Sequence, residues 1–209
     1  MKADTLDALI ELAIDLTRNM SSSDRFQTIV DTVARAYPCD AVVLLKLHEG
    51  HLEPLALRGL SRDVIGRRFS PKEEPRFQAM LQSDGPLVFR PDDPRPDPYD
   101  GFIDGVMFER NQVHSCMGSP LRLGSQLVGA LTLDSVKPGQ FDGIDMRMFS
   151  GFCALTAAAL QTAQLIHQLE QRVRVSYEVA QTLVVEAFRN QGGALLGTSE
   201  AMARLEREI

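Results

Sequence analysis

The sequence predicts an α+β fold, in which a central antiparallel sheet carries helices on one face and a long helix follows it. Three observations support this prediction. Helical periodicity occupies the first 36 residues, strand-like runs recur between residues 41 and 133, and an unbroken helical pattern extends from residue 144 to residue 188. This order of helices, then strands, then a helix is typical of α+β proteins and differs from the alternation of α/β folds.

Spacing and capping residues predict two N-terminal helices. Between residues 4 and 20, apolar residues recur on one helical face: Leu6, Leu9, Ile10, Ala13, Ile14 and Leu16. Residues 21–24 are serines and an aspartate, which cap helix N-termini, and a second apolar periodicity follows over residues 26–36. Pro38 cannot continue a helix, so the second helix is expected to end before it.

The middle of the chain predicts a sheet and an irregular loop. Five runs have the composition of strands: residues 41–47, 52–57, 87–89, 116–123 and 127–133. A short helix is expected over residues 73–81, and the turns at 49–51 and 124–125 predict two hairpins. Residues 91–105 hold four prolines, five aspartates and two glycines. No helix or strand tolerates that density of proline and glycine, so this segment is expected to be a loop.

The helical pattern after residue 144 contains no proline and keeps an apolar seam in its second half: Leu165, Leu169, Val173, Tyr177, Ala180, Leu183 or Val184, and Phe188. Such a seam is typical of a dimer contact or a signalling stalk, and packing against the same subunit is the alternative. We therefore expect a folded domain over residues 1–170 and a helical linker over 171–192.

Composition and charge exclude several classes of protein. Of 209 residues, 44% are apolar and 24% charged, which is the balance of a soluble globular protein. No uninterrupted apolar run approaches the roughly 20 residues that span a bilayer, and the N-terminus lacks the apolar stretch of a secretory signal, so a cytoplasmic location is expected. The net charge of −6 argues against direct binding of nucleic acid, which needs clustered positive charge.

Three carboxylates and one thiol are the candidates for chemistry. Asp97 and Asp100 lie in the proline-rich loop, Cys116 opens a strand and Asp134 ends one. Each has an ordinary structural explanation, because Asp-Pro and Asp-Gly favour turns and a lone cysteine in a strand is usually a small buried hydrophobe. If the four converge, they combine hard oxygen donors with one soft sulfur. That mixture disfavours structural zinc, magnesium and calcium, whereas ferrous iron accepts both kinds of donor. Spacing alone leaves both explanations open.

Several stretches resemble the N-terminal GAF domain of the NorR family of nitric-oxide-responsive transcription activators. They are residues 24–27, 54–56, 59–60, 66–69, 75–76, 96–101, 114–116 and 127–134. The most specific of them read PDPYDG at 96–101 and LVGALTLD at 127–134. The resemblance covers residues 5 to 170 without a large gap.

This resemblance implies a GAF fold and a mononuclear non-haem ferrous iron, Fe(2+), that senses nitric oxide. The ligands it implies are Asp97, Asp100, Cys116 and Asp134. Arg76 also belongs to the family's site, but a guanidinium stays protonated and offers no lone pair. We therefore expect Arg76 to orient a carboxylate instead of binding the metal. Tyr99 and His114 are expected as neighbours of the site.

The resemblance also implies a mechanism and partners. In the family, the GAF domain represses a neighbouring AAA+ ATPase, nitric oxide on the iron relieves that repression, and the ATPase remodels RNA polymerase carrying sigma-54. Residues 193–209 resemble the start of that AAA+ domain, whose remainder we expect to be absent from this chain. Residues 192–199 imitate a phosphate-binding loop, but Thr198 replaces the lysine, so no enzymatic activity is expected. A homodimer through the terminal helices is expected, with neither nucleic acid nor membrane as a partner.

Three other functions remain open from the sequence. A GAF domain can bind a cyclic nucleotide or another small organic effector without metal. A bilin-attaching domain usually has adjacent Cys and His, whereas Ser115 separates His114 from Cys116 here. An iron oxygenase needs two histidines and one carboxylate on the same ion, and the four histidines of the chain show no such grouping.

Overall fold

The computed structural model describes residues 2–105 and 115–190. They belong to two compact units, residues 1–163 and residues 164–209. The first unit contains the whole sheet and the beginning of the last helix, and the described part of the second unit is the continuation of that helix. The predicted start of an AAA+ domain, residues 193–209, lies outside the described residues.

In the described part of the chain, the helices and strands follow in the order α1 Lys2–Asp15, α2 Ser22–Ala36, β1 Ala41–His48, β2 His51–Arg58, α3 Pro75–Gln82, β3 Leu87–Phe89, β4 Ser115–Leu123, β5 Gln126–Ser135 and α4 Met146–Asn190. Each of these was predicted, with bounds that differ by a few residues, whereas a short 3-10 helix at Arg62–Val64 was not. The predicted cap of α2 is confirmed, because the Ser21 hydroxyl accepts a hydrogen bond from the Asp24 N–H. α1 ends at Asp15, earlier than predicted, and hydrogen-bonded turns follow it.

The five strands form one antiparallel sheet in the order β2-β1-β5-β4-β3. The β1–β2 hairpin turns at Glu49 and Gly50, whose φ angles of 49° and 80° suit a two-residue turn that follows the twist of the strands. In the β4–β5 ladder, Cys116 lies directly opposite Asp134. The register of this ladder therefore brings two of the predicted site residues together.

Alternate residues of the central strands face two separate apolar cores. The first core lies beneath α1, α2 and the beginning of α4, and the second lies beneath α3 and the loop of residues 91–105. On β1, for example, Leu44 faces the first core and Leu45 the second. α3 approaches the sheet closely at Gly118, where a Cβ atom would lie 2.5 Å from Met80 Sδ. The long helices thus cover one face, as predicted, and α3 with the loop covers the other.

The character of α4 changes along its length. In the first unit, Phe149 and Phe152 are fully buried in the first core. In the second unit, many large apolar side chains are exposed: Leu165, Ile166, Leu169, Val173, Val175, Tyr177, Val179, Leu183, Val184 and Val185. By length and composition alone, Met146–Ala187 is apolar enough to cross a membrane. That apolar content comes from two kinds of residue: aromatic side chains that are buried in the first core, and the exposed apolar side chains of the second unit.

The loop of residues 91–105 is irregular, as predicted, and hydrogen bonds hold it at two points. The Arg76 Nε of α3 donates to the Arg95 carbonyl at 2.9 Å. Farther along, the Ser61 N–H donates to the Phe102 carbonyl at 2.8 Å. Between these attachments, the loop turns side chains inward to the second core.

Candidate metal centre

Three side chains of metal-ligand type converge beneath the loop. One carboxylate oxygen of Asp97, the Sγ of Cys116 and one carboxylate oxygen of Asp134 all lie within 4.8 Å of one another. Cys116 and Asp134 are opposed across the β4–β5 ladder, so their side chains share a face of the sheet. Bonds of about 2.0 to 2.3 Å to one ion would place two donors at most roughly 4.5 Å apart. Small side-chain rotations would therefore bring all three donors onto one ion.

Asp97 is held in place by α3 and by its own loop. Arg76 Nη1 donates to Asp97 Oδ2 at 2.6 Å, and both side chains are almost completely buried. The N–H of Tyr99 donates to Asp97 Oδ1 at 2.8 Å. Since a carboxylate oxygen has two lone pairs, each Asp97 oxygen keeps one for a further partner. Arg76 is therefore paired with Asp97, and the carboxylate keeps lone pairs for a further partner.

Asp134 is in the opposite situation. It is fully buried, and neither of its oxygens forms a hydrogen bond of acceptable geometry with the described residues. The Cys116 thiol and the Thr132 hydroxyl lie beside it. The hydroxyls of Tyr99 and Thr132 are also buried without a hydrogen-bond partner among these residues. Buried polar atoms are nearly always paired in folded proteins, so this group of unpaired oxygens indicates a site for an additional ligand.

Burial sets the electrostatics of the three donors. Burial raises the pKa of Asp97 to about 6, although the Tyr99 N–H and the Arg76 guanidinium act against the rise. Burial, together with the nearby Asp97 charge, raises the pKa of Asp134 well above its usual range. Burial and the neighbouring carboxylates likewise raise the pKa of the Cys116 thiol. Without a counter-charge, the donors therefore hold their protons more tightly than in water.

A divalent cation would balance the charge of this group. If Asp97, Cys116 and Asp134 are all ionised they carry three negative charges, Arg76 supplies one positive charge, and a divalent ion supplies the remaining two. A neutral total matters because uncompensated charge in a protein interior is costly. Two carboxylates with one thiolate suit ferrous iron better than magnesium or calcium, which avoid sulfur. The residues present therefore fit such an ion.

The other predicted site residues lie at the edge of the group or outside the described residues. Asp100 has an exposed side chain and is not one of the three converging residues. Its charge contributes to the raised pKa of Asp97, which places it near the site. His114 lies outside the described residues. Cys153 is buried and Cys39 half-buried, and both pack in the first core, on the other face of the sheet.

A comparison of the sequence with protein-family profiles identifies the fold. The family profile described as "GAF domain" matches residues 22–160, which cover the sheet and all of the converging residues. The chain is a member of the GAF-domain family. The predicted fold is therefore confirmed.

Curated relatives extend this similarity to regulatory proteins. The anaerobic nitric oxide reductase transcription regulator NorR of Escherichia coli O6:H1 is 38% identical over 205 residues, which are 98% of this chain and 39% of that protein. The regulatory protein LuxO of Vibrio cholerae serotype O1 is 36% identical over 209 residues, 100% of this chain and 39% of that protein. The predicted resemblance to NorR is confirmed, and this chain spans 39% of the length of these relatives.

Solved structures show the same fold at low sequence identity. The GAF domain of an Acinetobacter phosphoenolpyruvate-protein phosphotransferase has a TM-score of 0.64 at 17% identity, over 78% of this chain and 97% of that chain. The free methionine-R-sulfoxide reductase of Neisseria meningitidis has a TM-score of 0.61 at 14% identity, over 78% and 91%. At such identities the likeness establishes the fold alone.

Thr132 is a residue of this GAF domain's site that sequence analysis did not single out. It precedes Asp134 by two positions on β5, so both side chains point to the same face of the sheet. A threonine in a strand is ordinary, because β-branched residues favour strands. The sequence feature that could have identified Thr132 is its position two residues before Asp134, a candidate ligand. Tyr99, in contrast, was predicted as a neighbour and is fully buried beside the group.

Proposed function

We propose that this GAF domain senses nitric oxide through one non-haem ferrous ion, held by Asp97, Cys116 and Asp134. Asp100 is the proposed fourth ligand; it lies at the exposed rim of the site, where solvent screens its additional negative charge. The observation that carries the proposal is the fully buried carboxylate of Asp134, which lacks hydrogen-bond partners and lies within 4.8 Å of a thiol and a second carboxylate. When bound, the ion supplies an open coordination position for a diatomic gas.

The protein residues have distinct tasks in this proposal. Cys116 and Asp134 come from adjacent strands and form the fixed side of the site, since a strand ladder moves little. Asp97 comes from the loop, and Arg76 holds its carboxylate toward the other two donors. Because the Arg76 guanidinium on α3 binds both the Asp97 carboxylate and the Arg95 carbonyl, a shift of Asp97 would move the loop relative to α3. We propose that movement of this loop is the first step of signalling.

The regulatory part of the proposal rests on the relatives. NorR and LuxO are named as regulators, and their length leaves room for further domains. We propose that the GAF domain represses an adjoining AAA+ domain of a sigma-54-dependent activator of nitric oxide detoxification genes, and that nitric oxide relieves this repression. A cytoplasmic location follows from that role. The GAF domain itself is proposed to act as a binding module without enzymatic activity.

The exposed seam of α4 supports a homodimer. Ile166, Leu169 and Val173 follow the alternating spacing of three and four residues that defines a coiled-coil seam, and they are 40%, 59% and 70% exposed. β-branched residues at one seam position with leucine at the other favour two-stranded coiled coils. We propose that two copies of the chain pair along this part of the helix.

Anaerobic reconstitution tests the sensor proposal. The protein is loaded with ferrous iron, its metal content is measured, and electron paramagnetic resonance is recorded after addition of nitric oxide. We expect about one iron per chain, as in a mononuclear site, together with a nitrosyl-iron signal. Both should be lost in Cys116→Ala and retained in the matched control Cys153→Ala, which removes a buried thiol from the other core.

Two outcomes would overturn the proposal. In the first, the wild-type protein would take up no more iron than Cys116→Ala. In the second, Cys116→Ala would keep both its iron and its nitrosyl signal. Binding of a cyclic nucleotide to the metal-free protein, measured by calorimetry, would favour the organic-effector alternative.

A further inference from the structure

Two hydroxyl groups lie beside the candidate metal centre without any assigned role. The Tyr99 phenol and the Thr132 hydroxyl are both fully buried, and neither has a hydrogen-bond partner among the described residues. Both are close to Asp134: the phenol lies near its carboxylate and near the Thr132 hydroxyl, and the Thr132 hydroxyl lies beside the same carboxylate. The Tyr99 phenol, the Thr132 hydroxyl and the Asp134 carboxylate therefore form one buried polar group, with Thr132 adjacent to both others.

We propose that Tyr99 and Thr132 are positioning residues that donate hydrogen bonds to the Asp134 carboxylate when Asp134 binds a cation. This inference rests on the proposed metal site and goes beyond it, since it assigns the residues that hold the ligand in place. Ligating carboxylates are generally hydrogen-bonded in turn, and losing such a partner typically costs metal sites about 10- to 100-fold in affinity.

The backbone and the packing fix both hydroxyls in place. Thr132 lies two residues before Asp134 on the same strand and the same face of β5. The Tyr99 ring is clamped edge-to-face by Phe69 and Phe77, with ring centroids 5.8 Å away in each case. The Tyr99 N–H also binds Asp97. The phenol therefore has little freedom to turn elsewhere for a partner.

The donor chemistry suits both hydroxyls to a metal-bound Asp134 carboxylate. A carboxylate that gives one oxygen to a metal keeps lone pairs that accept hydrogen bonds, and a hydroxyl can donate to them. Leaving a hydroxyl buried and unpaired costs free energy. When a cation binds Asp134 and keeps its carboxylate ionised, the two hydroxyls can donate to that carboxylate. The free-energy cost of leaving them unpaired is then removed. This arrangement couples metal binding to the packing of the second core.

Isosteric deletions of each hydroxyl test the inference. Tyr99→Phe and Thr132→Val each remove the hydroxyl, whereas Thr132→Ser keeps the hydroxyl and removes only the methyl group. The chain offers a matched control for each: Tyr37→Phe removes a buried, unpaired phenol in the first core. Thr156→Val removes a buried hydroxyl that is already bound to the Phe152 carbonyl at 2.7 Å. Affinity for ferrous iron alone is measured anaerobically, and urea unfolding is measured on each metal-free variant.

We expect Tyr99→Phe and Thr132→Val to lower the iron affinity about 10- to 100-fold, and Tyr37→Phe, Thr156→Val and Thr132→Ser to leave it within about twofold. Metal-free Tyr99→Phe and Thr132→Val should be no less stable than the wild type, since the deleted groups are unpaired. A merely structural role would instead lower the stability of the first two variants.

The inference and the metal site fail in different ways. If the wild type binds iron and Cys116→Ala does not, but Tyr99→Phe and Thr132→Val bind as tightly as the wild type, the positioning role is wrong and the metal site stands. If the wild type does not bind iron, both are wrong. Loss of stability in metal-free Tyr99→Phe and Thr132→Val would also overturn the positioning role.

Discussion

Replacing Asp134 with asparagine is predicted to change the pH dependence of stability in the metal-free protein. Asp134 is fully buried, and neither oxygen is hydrogen-bonded among the described residues. Burial, with the charge of Asp97, raises the pKa of this carboxyl well above its ordinary 3.8. Asparagine has almost the same shape and is neutral at every pH, so it removes the proton equilibrium and little else.

The direction and size of the effect follow from proton linkage. Because the pKa of Asp134 is raised in the folded state, its favourable contribution is complete below pH 3.8 and is lost as the pH rises toward the folded pKa. Over that window the unfolded chain releases the proton and the folded chain keeps it. The free energy of unfolding of the wild type should therefore fall relative to Asp134→Asn by up to about 1.4 kcal/mol per pH unit.

Urea unfolding in the presence of a chelator, at several values from about pH 4 to about pH 7, measures this difference. Asp40→Asn is the control, because Asp40 accepts hydrogen bonds from the Ser135 hydroxyl at 2.6 Å and the Val136 N–H at 2.9 Å. Because Asp40 is exposed, losing this acceptor should destabilise the protein only by about 0.5 to 1.5 kcal/mol. The reasoning would be refuted if the difference in the free energy of unfolding between the wild type and Asp134→Asn stays constant with pH. It would also be refuted if the wild type gains stability relative to the variant as the pH rises.

Three further predictions concern the metal, the loop and the dimer. Iron affinity should rise by at least about tenfold per unit between about pH 6 and pH 8, because the Cys116 thiol and the Asp134 carboxyl, whose pKa values burial raises, must lose their protons to bind; calorimetric titration that finds no pH dependence would contradict binding by these donors. Arg76→Met should destabilise the protein by about 3 to 5 kcal/mol in chemical denaturation, because it leaves Asp97 buried without its partner. A change below about 1 kcal/mol would count against the ion pair. Leu169→Asp combined with Val173→Asp should convert a dimer to a monomer in sedimentation analysis, and a monomeric wild type would remove the proposed seam contact.

The sequence predicted the fold well because most elements carry local signals. The serine cap before α2, the Glu49-Gly50 turn and the proline density of residues 91–105 each act within a few residues. Such signals do not depend on distant contacts. The end of α1 was less predictable, because the apolar pattern continued into turns beyond Asp15.

The candidate site was only partly predictable, because it depends on strand register and loop path. No local rule places Cys116 opposite Asp134, since register is set by the whole ladder. The resemblance to NorR supplied the residues, and the structure separated them by environment: Asp97 is buried, whereas Asp100 is exposed. The role of Thr132 could not be predicted, because an unpaired hydroxyl is a property of the folded surroundings and not of the residue type.

Iron K-edge X-ray absorption on the ferrous-loaded protein tests the central claim most directly, because it reports which elements surround the metal. The account predicts one sulfur neighbour among oxygen neighbours in the wild type and in Cys153→Ala, and oxygen neighbours alone in any iron retained by Cys116→Ser. A wild-type spectrum without sulfur, or a sulfur neighbour that persists in Cys116→Ser, would contradict the claim that Asp97, Cys116 and Asp134 bind one ion.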